Sequence, residues 1–210
     1  MVPKPTGELP TSPEPPQVVT EVAVLLNAYK MKNQDPGRLP IYVVLENVRA
    51  LFNVGAIFRT ADAVRASGCT LTGFTGCPPR KEIRRVALGA EESVPWTYVE
   101  DSLTAIRLLK ERGVQVVGLE QTGGSEDFRS FDYKLPVAAV LGHEVEGIHP
   151  ETLEACDAVV EIPMLGSKHS LNVSVAGGIM LYELLRRVED PESQTVQGLE
   201  PEFEVSSSAR

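Results

Sequence analysis

Continuous apolar runs are the feature that most restricts how this chain can fold. Residues 41–45 (IYVVL) form such a run, bounded by Pro40 and by Glu46 and Asn47, and this pattern is typical of a strand covered on both faces. Further strands are predicted over residues 70–75, 114–119, 137–141 and 158–162. Segments with helical periodicity separate them. The sequence therefore predicts an α/β fold with a mainly parallel sheet flanked by helices.

Polar loops follow several of the predicted strands. Residues 121–124, 142–147 and 166–172 are rich in Gly, Ser, Thr, Asn and Glu. In open parallel sheets, ligands bind beyond the carboxyl ends of the strands. These three loops are the first place to expect a site.

The segment after the first strand predicts a helix with a mixed surface. Asn53 is a suitable N-cap and Gly68 a suitable C-terminal stop. Arg59 lies about 200° around the helix from the apolar Ile57, which places Arg59 outside the core. Further helices are predicted over residues 17–32, 83–90 and 103–112.

The chain of 210 residues fits one domain with two tails. Residues 1–18 contain six prolines and are expected to be disordered. Residues 189–210 carry six acidic side chains against one arginine and are expected to form an acidic disordered tail. The domain itself is expected to span residues 19–188. No apolar run approaches the ~20 residues of a membrane span, and no signal-peptide core is visible, so we expect a cytoplasmic protein without a membrane partner.

The charge distribution leaves two interpretations open. The formal net charge is −9, with a sequence pI of about 4.9, which is unlike most nucleic-acid-binding proteins. The acidic excess is concentrated in the C-terminal tail, whereas residues 47–85 hold seven basic and two acidic side chains, a local charge of +5. This segment is either a site for an anionic partner or a solvated basic face.

Several common chemistries lack their motifs here. The chain has no Gly-x-Gly-x-x-Gly after an early strand, no Walker loop and no Gly-x-Ser-x-Gly elbow. Its three cysteines have neither disulfide nor zinc spacing and are expected to be reduced thiols. The histidines at positions 143, 149 and 169 match no standard metal site. We therefore expect no metal.

Residues 162–179 combine a polar turn with an apolar helix. The turn carries Ser170, Asn172 and Ser174, and the helix contains Gly177 and Gly178. A helix this apolar should be buried on most sides, and each glycine destabilises it by roughly 1 kcal/mol relative to alanine. Something must approach its backbone closely. That is either a tightly packed helix or a ligand or chain crossing.

Three polar motifs, taken in order and spacing, resemble a known family. They are Asn53-x-Gly55-x3-Arg59-Thr60, Gly142-His143-Glu144-x2-Gly147, and residues 162–164 together with 170–174. They are similar to the signature motifs of the SpoU/TrmH family of S-adenosylmethionine-dependent RNA ribose 2'-O-methyltransferases. The resemblance spans roughly residues 40–187. It implies a mainly parallel sheet whose C-terminal part, about residues 137–187, forms a deep trefoil knot.

The resemblance also implies a set of site residues. The expected cofactor contacts are Leu119, Thr122, Gly123, Gly142, Gly147, Ile162, Met164 and Leu171. The expected catalytic residues are Arg59, Asn53, Glu144, Ser170 and Asn172. Family precedent gives Arg59 the central role. Because a guanidinium is almost always protonated, Arg59 acts either as a general base with a strongly lowered pKa or as an electrostatic anchor for phosphate and forming alkoxide.

Partners follow from the same resemblance. Relatives are homodimers that pack knot against knot, and residues 17–32 and the C-terminal helix are the candidate interface here. The expected RNA contacts are Arg80, Lys81, Arg84, Arg85 and Lys168. The substrate is expected to be tRNA or rRNA. One alternative is a non-catalytic knotted RNA-binding or assembly factor. Another is a knotted methyltransferase acting on a base nitrogen, although the motif at residues 170–172 belongs to the ribose-modifying branch and argues against it.

Overall fold

The computed structural model describes residues 37–190. The predicted helix over residues 17–32 and the predicted tails, apart from residues 189 and 190, lie outside the described residues. No helix within residues 37–190 is long and apolar enough to cross a membrane. The last helix of this part of the chain, Val173–Glu189, ends one residue beyond position 188, where the domain was predicted to end.

Seven strands in this part of the chain form one sheet in which every neighbouring pair is parallel. They are β1 (Leu39–Glu46), β2 (Ala66–Thr72), β3 (Trp96–Val99), β4 (Gln115–Leu119), β5 (Glu126–Asp127), β6 (Val137–Leu141) and β7 (Ala158–Glu161). Their spatial order is β3-β2-β1-β6-β4-β7-β5. The prediction of an α/β fold with a parallel sheet is confirmed. The short edge strands β3 and β5 were not predicted, and β5 is also polar. The strand predicted over residues 70–75 is displaced, because β2 begins at Ala66 and ends at Thr72.

Six helices are present in residues 37–190. They are α1 (Leu51–Ala63), α2 (Lys81–Ala87), α3 (Ala90–Ser93), α4 (Ser102–Lys110), α5 (Pro150–Ala155) and α6 (Val173–Glu189). The single helix predicted over residues 83–90 is wrong: Leu88 and Gly89 adopt φ angles of 53° and 96° and separate α2 from α3. Helix α5 was not predicted.

Both predicted ends of helix α1 are wrong. Its N-cap is Ala50, which makes no side-chain capping hydrogen bond, so Asn53 lies inside the first turn. The helix ends at Ala63, and Arg65 makes the turn with a φ of 52°. Gly68 lies in the fully buried strand β2. The turn at Arg65 needs no glycine because its backbone N–H donates to Asp62 O and its carbonyl accepts from Leu39 N–H.

Helices cover both faces of the sheet, as the apolar runs predict. On one face, Val43 and Leu45 of β1 pack in a cluster with Phe58 of α1 and Leu181 of α6. On the other face, a second cluster joins Val44 of β1 to α4 and to strands β4 and β6. Alternate residues of β1 thus face opposite helical layers. Because the strands are parallel, the loops that follow their carboxyl ends all lie at the same end of the strands.

Helix α6 is less buried than its sequence suggests. Gly177 is buried, and a Cβ there would lie 2.6 Å from Leu141 Cδ1, whereas Gly178 has only Thr60 Cγ2 at 4.0 Å. Only Gly177 is required for close packing, and its close neighbour is a side chain. On the outer side of α6, Val175, Ile179 and Tyr182 are 51%, 37% and 55% exposed. The expectation that α6 is buried on most sides is wrong for the single chain.

Candidate active site

A cleft with a volume of about 200 Å³ lies at the carboxyl-terminal edge of the sheet. Three segments form it: the end of β4 with the loop that follows, the loop after β6, and the chain from the end of β7 into α6. It is lined by Leu119, Glu120, Gln121, Leu141, Gly142, His143, Glu144, Val145, Glu146, Gly147, Glu161, Ile162, Met164, His169, Ser170, Leu171, Val173 and Ala176. Apolar side chains, carboxylates and backbone groups therefore meet in one place.

Most of the cofactor contacts expected from the sequence line this cleft. They are Leu119, Gly142, Gly147, Ile162, Met164 and Leu171. Thr122 and Gly123 do not line it. They lie farther along the loop after β4, where Ser125 Oγ accepts from Thr122 N–H at 3.1 Å and donates to Glu161 Oε2 at 2.6 Å.

The two glycines of the loop after β6 permit a tight turn. A Cβ at Gly142 would lie 2.3 Å from the carbonyl carbon of Gly147. Gly147 itself has a φ of 73°, a conformation that favours glycine. His143 and Gly147 close the turn with two backbone hydrogen bonds of 3.0 and 2.9 Å. Larger residues at either position would open this side of the cleft.

Glu144 connects this turn to the start of helix α1. One carboxylate oxygen accepts from Ala50 N–H at 2.8 Å and from Asn53 Nδ2 at 2.9 Å, and the other accepts from Arg49 N–H at 3.0 Å. Partial burial raises the pKa of Glu144, but these three donors outweigh it and lower the pKa to about 2. The carboxylate is therefore ionised at neutral pH and caps a helix that has no local cap.

Asn53 connects Glu144 to the start of helix α6. Its Oδ1 accepts from Asn172 Nδ2 at 3.1 Å. Asn172 is the N-cap of α6, and its Oδ1 accepts from Ser174 N–H at 2.9 Å and from Ser174 Oγ at 2.6 Å. One chain of hydrogen bonds thus joins Glu144, Asn53 and Asn172, which come from three distant parts of the sequence.

Arg59 lies apart from this network. Six residues after Asn53 it is about 240° further around helix α1, and its exposed side chain lines a different cavity, with Asp62, Leu88 and Gly89 among the other lining residues. Within residues 37–190, the guanidinium of Arg59 makes no hydrogen bond or ion pair. Ser170, by contrast, lines the first cleft, so these two expected catalytic residues line different cavities of the single chain.

The residues expected to bind RNA all lie on the surface. Arg80 is the N-cap of α2, and the helix carries Lys81, Arg84 and Arg85, all exposed. Arg84 forms an ion pair with Glu92 at 3.8 Å, and both side chains are largely exposed, so this pair neutralises little of the charge. Lys168 is exposed in the loop before α6.

Two carboxylates that fix the backbone beside the cleft were not predicted as site residues from the sequence. Glu120 Oε2 accepts from Ile148 N–H at 3.1 Å. Glu46 is buried and accepts from His149 N–H at 2.9 Å and from Thr152 Oγ1 at 2.5 Å. Each glutamate ends or directly follows an apolar strand, which is the signal that could have pointed to them.

A family model decides which proteins this chain is related to. The model of the SpoU rRNA Methylase family matches residues 40–182. The chain belongs to the SpoU rRNA Methylase family. The match covers the sheet, the cleft and the hydrogen-bond chain from Glu144 to Asn172.

Individual relatives agree with this assignment. The 23S rRNA (guanosine-2'-O-)-methyltransferase RlmB of Ralstonia nicotianae is 39% identical over 148 residues, which are 70% of this chain and 59% of the relative. The AdoMet-bound rRNA methyltransferase of Sinorhizobium meliloti superposes with a TM-score of 0.67 at 37% identity, covering 73% of this chain and 58% of the other. The TrmH/SpoU tRNA modifying enzyme of A. aeolicus gives 0.66 at 32% identity, covering 78% and 82%. The chain spans between 59% and 66% of the length of the curated relatives it matches.

Proposed function

We propose that this protein is an S-adenosylmethionine-dependent RNA methyltransferase that modifies a ribose 2'-hydroxyl. The observation that carries the proposal is the hydrogen-bond chain Glu144–Asn53–Asn172 at the rim of the cleft. It ties together all three segments whose motifs resemble the family. RlmB is named for the same 2'-O reaction.

The cleft suits S-adenosylmethionine chemically. Leu119, Ile162 and Leu171 offer an apolar surface for adenine, while Glu120 and Glu161 offer acceptors for ribose hydroxyls or the amino group. The cofactor supplies the methyl group. The chain's own residues bind it and hold the receiving hydroxyl in line, and positioning of this kind provides much of the acceleration.

The catalytic roles divide between two places on the surface. We assign Glu144, Asn53 and Asn172 to holding the two helix starts at the cleft, and Ser170 to contacting RNA or cofactor there. Arg59 acts from its separate cavity. It acts either on RNA that spans this cavity and the cleft, or on the cleft of a second copy of the chain. It stabilises phosphate or alkoxide charge as a protonated guanidinium.

A homodimer is part of this proposal. Val175, Ile179 and Tyr182 expose an apolar face on α6, and Phe52 of α1 is 51% exposed. Faces of this kind mark interaction sites, and a second copy would cover them symmetrically. Relatives of this chain are expected to pair in the same way.

A deep trefoil knot over about residues 137–187 is the finer part of the proposed fold. One feature supports it. Strand β6 lies between β1 and β4, and β7 lies between β4 and β5, although each follows both of its neighbours in the sequence.

The substrate is proposed to be tRNA or rRNA in the cytoplasm, because the relatives are named for both. The basic residues Arg80, Lys81, Arg84, Arg85 and Lys168 would contact its phosphates. Incubation with methyl-labelled cofactor and either bulk tRNA or rRNA from cells lacking the gene tests this. Labelled alkali-resistant dinucleotides are expected. Label found only on bases would refute the ribose assignment, and RNA binding without cofactor binding would support the non-catalytic assembly factor.

A further inference from the structure

An exposed aromatic ring stands at the rim of the cleft and has no role in the proposed reaction. Phe74 follows strand β2 and is 61% exposed. Its ring packs against that of His143, with centroids 5.8 Å apart and planes at 79°. His143 lines the cleft. A T-shaped pair occupies at most one face of the Phe74 ring, so the other face remains open.

The loop that carries Phe74 is held firmly in place. Phe74 N–H donates to Asn47 Oδ1 at 3.1 Å, and Tyr98 O–H donates to the carbonyl of Gly73 at 2.8 Å. On the other side, the buried Thr75 hydroxyl donates to the carbonyl of Leu45 in β1 at 2.9 Å and accepts from Val48 N–H at 3.0 Å. Phe74 is therefore presented to solvent by a fixed backbone, and a ligand stacked on it orders little additional chain.

The partner ring is fixed as well. His143 Nδ1 accepts from the backbone N–H groups of Val145 and Glu146 at 3.3 and 3.1 Å. The backbone of His143 is paired with Gly147. The orientation of this ring is thus set by the same turn that shapes the cleft.

Two exposed arginines belong to chain segments that adjoin the ring pair. The Cδ of Arg80 lies 3.7 Å from the Cβ position of Gly76, two residues after Phe74. Arg49 donates its backbone N–H to Glu144, which neighbours His143 in the sequence. Both arginines are exposed, and within residues 37–190 neither guanidinium makes a hydrogen bond or ion pair. Cations beside an open aromatic face are the combination that binds single-stranded nucleic acid.

We propose that Phe74, backed by His143, is a stacking platform for one unpaired base of the RNA substrate. The proposal rests on the proposed function, since it takes RNA to be the partner of the cleft. Arg80 and Arg49 hold the phosphates on either side of the stacked base. A base inside a duplex has no free face, so the platform selects RNA that is unpaired next to the methylated ribose.

The test uses the full chain and an unstructured 12-nucleotide RNA of randomised sequence that contains 5-iodouridine. After irradiation, the peptide that contains Phe74 is expected to carry the cross-link. Phe74→Ala should weaken binding of this RNA about 5- to 150-fold, the range found on removing a stacking side chain. Phe74→Tyr, which keeps the ring, should bind within about twofold of the unmodified chain. Binding of a 12-base-pair RNA duplex and of S-adenosylmethionine should be unchanged in both variants.

Three outcomes would overturn the proposal: no binding of the single-stranded probe at low salt, equal binding by Phe74→Ala and the unmodified chain, or a change of oligomeric state in Phe74→Ala. The last would show that Phe74 packs against another copy. Absence of methyl transfer by the unmodified chain is read separately and would count against the proposed reaction, because the binding and cross-linking measurements do not require turnover.

Discussion

Replacing Glu144 by glutamine removes the ionised cap of helix α1 with little change in size. A glutamine amide cannot accept hydrogen bonds at both of its ends, so at least one of the backbone donors Arg49 and Ala50 loses its partner. The lowering of the pKa from an ordinary 4.5 to about 2 corresponds to roughly 3 kcal/mol for a shielded group. Because this carboxylate is partly open to water, we expect a loss of about 1–2 kcal/mol at pH 7.

The pH dependence separates this effect from simple loss of packing. A folded-state pKa below the ordinary value means that Glu144 stabilises the fold fully above about pH 5 and that this contribution is lost as pH falls toward 2. Urea unfolding of both proteins at pH 7, 5, 4 and 3, at one protein concentration, gives the difference directly. Most other carboxyl groups cancel in that difference.

Glu146→Gln is the matched control. Glu146 is an exposed glutamate in the same turn, and within residues 37–190 its carboxylate makes no hydrogen bond. This variant should change the free energy of unfolding by less than about 0.5 kcal/mol at every pH. A difference between the Glu144 variant and the unmodified chain that stays the same from pH 7 to pH 3 would refute the electrostatic explanation.

Four further substitutions test the packing, the cap of α6 and the separate position of Arg59. Gly177→Ala should destabilise the fold by about 1–3 kcal/mol because its new methyl group would meet Leu141. Gly178→Ala should be neutral or stabilising by up to about 1 kcal/mol. Equal unfolding midpoints for the two variants would contradict the close packing at Gly177. Asn172→Ala removes the N-cap of α6 and should lose about 1 kcal/mol in denaturant unfolding, with a larger loss of methyl transfer. Arg59→Ala should abolish methyl transfer while cofactor titration and circular dichroism stay unchanged; a lost fold would show that its side chain is structural.

The central strands β1, β4, β6 and β7 were predictable because their signal is local. Val137–Leu141 is found as a strand with the predicted bounds, since a run that is buried on both faces must be apolar throughout. The loops at the carboxyl ends follow from the parallel arrangement, and the candidate cleft lies among the loops where the sequence predicts a site. The short strand Glu126–Asp127 carries no such signal, because it pairs through its backbone alone.

The helix ends and the position of Arg59 could not be read in the same way. Spacing along α1 shows that Arg59 points away from the core, but it does not show which neighbouring segment it meets. In the structure, Arg59 lines a cavity together with Leu88 and Gly89. These two residues form a break between α2 and α3, whereas the sequence predicted one continuous helix there. Likewise, an apolar sequence for α6 predicts burial without telling whether another part of the chain or a second copy provides it.

The error at Asn53 shows how folding and the site are connected. Sequence reasoning gave α1 a local cap because an asparagine stands near its start, yet its cap is Glu144, which bonds the backbone from 94 residues away. Asn53 is thereby left free to bond both Glu144 and the cap of α6. If the same interactions both close the fold and assemble the cleft, variants at Glu144 and Asn172 should lose stability and activity together. Arg59 takes no part in these interactions, so an Arg59 variant should lose activity without losing stability.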